Sequence, residues 1–125
     1  MNEEYKLIPL QKTQSIPVSW RFTQEEYDNM AKGHRSNWCV FLRDDVVHVC
    51  RIGGEEFYRF TVSKTGDGVY ATDDLEAYIP DDFYESARQH GWTDQEIERH
   101  QAELRESVIE ETVGLLASYF NINTA

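Results

Sequence analysis

Aromatic and basic side chains occur together in the middle of this chain, where they could bind an anion. They are, in chain order, Trp38, His48, Arg51 and Tyr58. A guanidinium group beside aromatic rings suits a phosphate, a nucleotide or a carboxylate, because its planar fork pairs with two oxygens while the rings stack on flat groups. This interpretation predicts a ligand-binding site formed by the four residues.

A structural alternative concerns the two arginines in these apolar strands, Arg51 and Arg59. A charge in such a strand is costly unless it has a partner. Asp45, Glu55 and Glu56 are near enough in sequence to supply carboxylates on the wet face of an antiparallel sheet. In this alternative the arginines pair within the sheet and bind no ligand.

Other chemistry has less support in the sequence. His48 and Cys50 share one face of a predicted strand, but a metal site needs three or four ligands, and no CxxC or HExxH spacing supplies the rest. We therefore expect no metal site and no cofactor. The chain has no GxSxG or P-loop motif, and its adjacent carboxylates point apart on a strand or helix, so no residue is predicted to be catalytic.

The acidic residues are concentrated in one part of the sequence. The 125-residue chain has a formal net charge of −11, and residues 73–111 hold thirteen acidic and three basic side chains, a net of −10. Such a field repels nucleic acid and anionic membranes and attracts basic surfaces. We expect a basic protein surface as the partner, with no direct binding to nucleic acid or membrane.

Strands are predicted for the first half of the chain. Residues 16–22 read as extended, and Trp38 to Arg43 and Val46 to Ile52 form a hairpin through a tight Asp44-Asp45 turn. Phe57 to Ser63 and Val69 to about Thr72 complete a four-stranded antiparallel meander. Two cysteines are too few for a disulfide framework, so Cys39 and Cys50 are predicted to be buried thiols.

Helices are predicted around this meander. Thr23 and Thr93 each begin a capping box, so a short helix follows the first and the longest helix follows the second, ending near Phe120. Asp81 to Gln89 is predicted as another short helix. The apolar stripe of the long helix widens only in its second half, which should pack on the sheet. Its first half, Asp94 to Glu106, is expected to be exposed or to meet a partner.

The segment from about residue 20 to residue 60 resembles a family of small uncharacterised bacterial proteins. The similarity lies in the strand WCVFLR, the acidic turn DD and the strand VVHVCR, which ends in Arg51. Some members of that family are linked to ADP-ribose-processing proteins, so the resemblance implies a nucleotide-related function for this chain. After Arg51, Ile52-Gly53-Gly54 replaces a serine-containing, aromatic-rich turn of that family.

These observations predict a single α+β domain over residues 1–125, with the four-stranded meander packed by the long C-terminal helix. MNEEYKLIPL has no basic start followed by an apolar run, so we expect a cytoplasmic protein. The leading functional hypothesis is a non-catalytic inhibitor, immunity or accessory protein that presents residues 73–111 to a basic partner. The predicted partner-binding residues are Asp94, Glu96, Glu103 and Glu106. The alternative is a nucleotide- or ADP-ribose-related ligand-binding domain, with or without enzymatic activity.

Overall fold

The computed structural model describes residues 13–51, 53–78 and 81–122, and within them the fold is α+β. In these three ranges, one antiparallel sheet of seven strands is accompanied by three helices. The strands are β1 (Thr13–Thr23), β2 (His34–Arg35), β3 (Trp38–Arg43), β4 (Val46–Arg51), β5 (Glu56–Thr61), β6 (Ser63–Gly66) and β7 (Val69–Tyr78). The helices are α1 (Gln24–Lys32), α2 (Asp81–Gln89) and α3 (Asp94–Phe120). The sheet order is β1-β7-β5-β4-β3-β2, and β6 also pairs with β7.

Local sequence signals account for the central hairpin. Strand β3 has its predicted bounds, and β4 follows as predicted up to Arg51, with Ile52 outside the described residues. Asp44 and Asp45 both have positive φ, 53° and 62°. A two-residue loop of type I′ needs this conformation, which aspartate tolerates better than most residues, so the predicted tight turn is confirmed.

Both predicted capping boxes are confirmed as well. The Thr23 side chain accepts a hydrogen bond from the backbone of Glu26 at 3.1 Å, and that of Thr93 accepts one from the backbone of Glu96 at 3.2 Å. The two glutamates accept hydrogen bonds back from the threonine backbones. These caps satisfy amide groups that the first helical turn leaves unpaired, which is why α1 and α3 begin where they do.

The predicted meander of four strands is too small. The last described strand, β7, returns to pair with β1, and Ile16 lies opposite Leu75. Strand β7 is much longer than the predicted segment ending near Thr72, because it continues through the polar pair Asp73-Asp74. Phe60 pairs with Leu75, and Ser63 pairs with Ala71. The two pairs are three residues apart along β5 and β6 but four residues apart along β7, so β7 carries a bulge there. The bulge breaks the alternation by which strands are recognised in a sequence.

The main core lies on the face of the sheet that α1 and α3 cover, called here the helix-packed face. The rings of Trp20 and Phe60 meet edge to face with their centroids 5.3 Å apart, and the rings of Phe22 and Phe60 stack at 6.2 Å. Residues of the second half of α3 pack against this layer: Val108, Leu116 and Phe120. The prediction that the second half of α3 packs on the sheet is therefore confirmed.

The first half of α3 is covered in part by α2. Ile97, which is 3% exposed, packs with Tyr84, and Trp92 and Leu104 complete this small apolar cluster. We call α2, the turn at Trp92 and the first half of α3 the helical hairpin. This part of α3 thus has an intramolecular partner that sequence reasoning missed. No helix in the described part of the chain is long and apolar enough to cross a membrane.

Candidate functional site

The four predicted ligand-binding residues are divided between the two faces of the sheet. Trp38 lies opposite Arg51, and its ring stacks with that of Tyr58 at 6.2 Å on the helix-packed face. His48 lies opposite Phe41 and Arg59 on the other face. Tyr58 lies opposite Val49, the strand neighbour of His48. Because successive residues of a strand point to opposite faces, Tyr58 and His48 lie on opposite faces of the sheet. The four residues therefore do not form one site.

Arg51 lies over aromatic rings at the edge of the helix-packed face. Its guanidinium carbon is 5.0 Å from the Trp38 ring centroid and 5.9 Å from that of Phe57. The Tyr58 hydroxyl donates a hydrogen bond to Glu111 of α3. Burial first, and then this hydrogen bond, raise the pKa of Tyr58 above its ordinary value. The hydrogen bond to Glu111 joins the Tyr58 ring to α3, and anion binding by Arg51 stays a prediction.

A network of ionisable residues lies on the opposite face. The Glu56 carboxylate accepts a hydrogen bond from Nδ1 of His48, and its other oxygen is 3.3 Å from Nη1 of Arg59. Nε of Arg59 donates to Glu76. The Glu56 side chain is 0% exposed, and the hydrogen bond from Arg59 to Glu76 is the first cause of a raised Arg59 pKa. Arg59 thus pairs with Glu56, as the structural alternative predicted, and with Glu76, which the sequence did not reveal.

A bulge in β5 makes this network possible. Residues three apart on a regular strand point to opposite faces, so Glu56 and Arg59 would be separated by the sheet. The register shifts between Val49, which pairs with Tyr58, and Cys50, which pairs with Glu56. The extra residue turns Glu56 toward His48 and Arg59. No local sequence signal marks this bulge, and Glu76 lies beyond the predicted end of its strand.

A cavity of about 520 Å³ adjoins the network on the opposite face. It is named here the sheet cavity. His48, Arg59 and Glu76 contribute to its wall, together with the hydroxyl-bearing residues Thr61 and Ser63. The remaining described residues that line it are Val46, Phe60, Ala71, Asp73 and Asp74. Among the described lining residues, three carboxylates outnumber one guanidinium group, so their electrostatic field favours positive charge.

The helical hairpin has a shallow groove of about 230 Å³ beside an aromatic ring. Trp92 lies at one side, with its ring centroid 5.6 Å from that of His100. Glu96 and Glu103 also line the groove, and their seven-residue spacing puts them on one face of α3. The remaining lining residue is Arg99. Sequence reasoning found the two carboxylates but not the tryptophan beside them.

The predicted partner-binding residues separate into one group and one outlier. Glu96, Glu103 and Glu106 are exposed and point away from the buried stripe of α3 at helical spacing. Asp94 lies at the beginning of the helix, where its carboxylate is 3.7 Å from Nε of Arg88. Hydrogen bonds from Thr93 lower the pKa of Glu96, so this residue is both a cap and part of the acidic face.

The two cysteines are buried free thiols, as predicted. They lie opposite one another on β3 and β4, and Cys50 is 0% exposed. Burial, followed by the nearby charge of Glu56, raises the pKa of Cys50 to about 12. Among the described residues, no group of three or more histidine, cysteine or acidic side chains is arranged to hold a metal ion.

Cys50 is expected to resist thiol-specific reagents in the folded protein. With a pKa of about 12, only about one thiol in ten thousand is ionised at pH 8, and the thiolate is the reactive form. The native protein should therefore release almost no thionitrobenzoate from Ellman's reagent at pH 8. Both cysteines should react after unfolding in guanidinium chloride. Rapid, stoichiometric labelling of Cys50 in the folded chain would contradict the burial described here.

Comparisons with protein-family models, with curated proteins and with solved structures find no match to this chain. The resemblance of residues 20–60 to a bacterial family stays an interpretation of the sequence.

Proposed function

We propose that this chain is a non-catalytic acidic interaction protein, an inhibitor, immunity or accessory protein that binds a basic partner surface through its helical hairpin. The observation that carries the proposal is the groove in which Trp92 lies beside Glu96 and Glu103. An aromatic face and two carboxylates together suit a lysine or arginine side chain, which can stack on the ring while it pairs with an oxygen.

The position of the acidic residues supports this proposal. Ile97 and Val108 of α3 are buried, whereas Glu103, Glu106 and Glu110 are exposed. At 3.6 residues per turn, these carboxylates lie on the side of the helix opposite the buried residues. A partner can therefore approach the acidic side without disturbing the packing of α3 on the sheet or on α2.

The net charge of residues 73–111 adds long-range attraction to this local recognition. Charges of one sign on one side of a protein accelerate association with an oppositely charged surface, and salt screens the effect. The Debye length falls from about 8 Å at physiological salt to about 3 Å at 1 M. Binding to the helical hairpin should therefore weaken steeply as the salt concentration rises.

The test compares two variants that change the net charge equally. Glu103→Lys with Glu106→Lys reverses two carboxylates of the acidic side and leaves the capping residue Glu96 intact. The control, Glu25→Lys with Glu55→Lys, reverses two exposed carboxylates elsewhere. Partners captured from the host lysate at low and high salt would be identified by mass spectrometry, and the affinity of a purified partner for each variant would then be measured.

The hairpin variant should bind its partner about a hundredfold more weakly, because two attractive pairs worth up to about 1 kcal/mol each become repulsive. The control variant should bind within a few-fold of the original protein. Equal weakening by both variants would mean that net charge alone drives the association. A partner that persists unchanged in high salt would contradict the proposal.

A further inference from the structure

The sheet cavity is separate from the helical hairpin and has a different chemistry. It lies against β4, β5, β6 and β7, and its volume of about 520 Å³ is within the range of small-molecule sites. The proposed interaction with a basic protein does not use it. The described part of its wall contains a histidine, an arginine and three carboxylates.

The charges at the cavity select the class of ligand. Asp73, Asp74 and Glu76 line it, and Glu56 lies buried behind it. The one guanidinium group in the described wall, that of Arg59, is already paired with Glu56 and Glu76. A phosphate or a carboxylate would therefore meet uncompensated negative charge, whereas a cation would be attracted.

His48 adds an oriented hydrogen-bonding group to this wall. The residue is 9% exposed, and Glu56 holds its Nδ1. A carboxylate on Nδ1 keeps the proton there in the neutral ring, which leaves Nε2 as a hydrogen-bond acceptor. No hydrogen bond joins Nε2 to another residue in the described part of the chain. An ammonium group in the cavity could donate to this nitrogen.

We infer that the sheet cavity binds a small organic cation, an amine of about the size of a diamine, whose ammonium group donates to Nε2 of His48. Asp73 and Asp74 pair with the second positive charge at the exposed side of the cavity. Thr61 and Ser63 offer hydroxyl groups to the remaining N–H donors.

The test uses 1,4-diaminobutane as the probe and 1,4-butanediol, which has the same length and no charge, as its control. Isothermal titration calorimetry at fixed ionic strength would measure binding to the full chain. The cavity variant is Asp73→Asn with Asp74→Asn, which removes two charges at exposed positions. The matched variant is Glu103→Gln with Glu106→Gln, which removes the same charge from the helical hairpin.

Diaminobutane should bind, butanediol should not, and the cavity variant should raise the Kd at least tenfold while the matched variant changes it less than twofold. In ¹⁵N NMR spectra the Nε2 resonance of His48 should shift on titration with the diamine. Absence of binding, equal binding of butanediol, equal weakening by both variants, or an unmoved Nε2 resonance would each overturn the inference. The matched variant should bind the protein partner more weakly and keep the diamine, so the two proposals fail independently.

Discussion

Truncation after Ser107 is expected to give a chain that lacks a cooperative unfolding transition. It removes Val108, Leu116 and Phe120, which are 6%, 1% and 5% exposed, from the main core. Loss of one large buried side chain costs about 2 to 5 kcal/mol, and the whole margin of a small domain is about 5 to 15 kcal/mol. The uncovered sheet face should make the truncated chain aggregate or bind a hydrophobic dye. Circular dichroism during heating would measure the transition.

Two point variants of α3 calibrate this result. Leu116→Ala should lower the free energy of unfolding by about 2 to 5 kcal/mol, because it leaves a cavity under the sheet. Ala117→Ser is at an exposed position of the same turn and should change it by no more than about 0.5 kcal/mol. A truncated chain that kept a sharp thermal transition would refute the proposed packing of α3.

The second large effect is expected from Glu56→Leu. Removal of one member of a buried charged network costs about 3 to 5 kcal/mol, because the remaining members lose their compensation. His48 would lose the Glu56 carboxylate as its hydrogen-bond partner, whereas Arg59 would keep its ion pair with Glu76. We therefore expect the lower end of that range. Urea denaturation followed by fluorescence would measure the change in the free energy of unfolding.

The adjacent residue supplies the matched control. Glu55 is exposed, so Glu55→Leu should change stability by no more than about 0.5 kcal/mol. The double variant His48→Phe with Glu56→Leu should be more stable than Glu56→Leu alone, because it replaces both polar partners by apolar groups. Equal effects of the Glu55 and Glu56 substitutions would contradict the burial of this network.

The site shows where sequence reasoning reaches its limit. Glu96, Glu103 and Glu106 could be placed on one face of a helix, because helical spacing is regular and a capping box sets its beginning. Trp92 could not be placed beside them, since it lies in the turn before that helix. The sequence pattern predicts one site for His48 and Trp38, but the two residues lie on opposite faces of the sheet.

Elements that depend on near neighbours can be predicted from the sequence alone. Threonine caps began α1 and α3, the Asp44-Asp45 turn closed the β3–β4 hairpin, and apolar spacing located the half of α3 that packs on the sheet. Each of these features rests on interactions between residues a few positions apart, so a short stretch of sequence is enough to predict it.

Features that depend on distant residues are visible only in the folded structure. The pairing of β1 with β7 joins the first and the last of the described strands along the chain, and the bulges in β5 and β7 depend on the strands beside them. The bulge in β5 turns Glu56 toward His48, and the register of β5 on β7 brings Glu76 to Arg59. A shift of one residue in either pairing would move these side chains to the other face, which is why spacing in the sequence did not reveal the network or the cavity beside it.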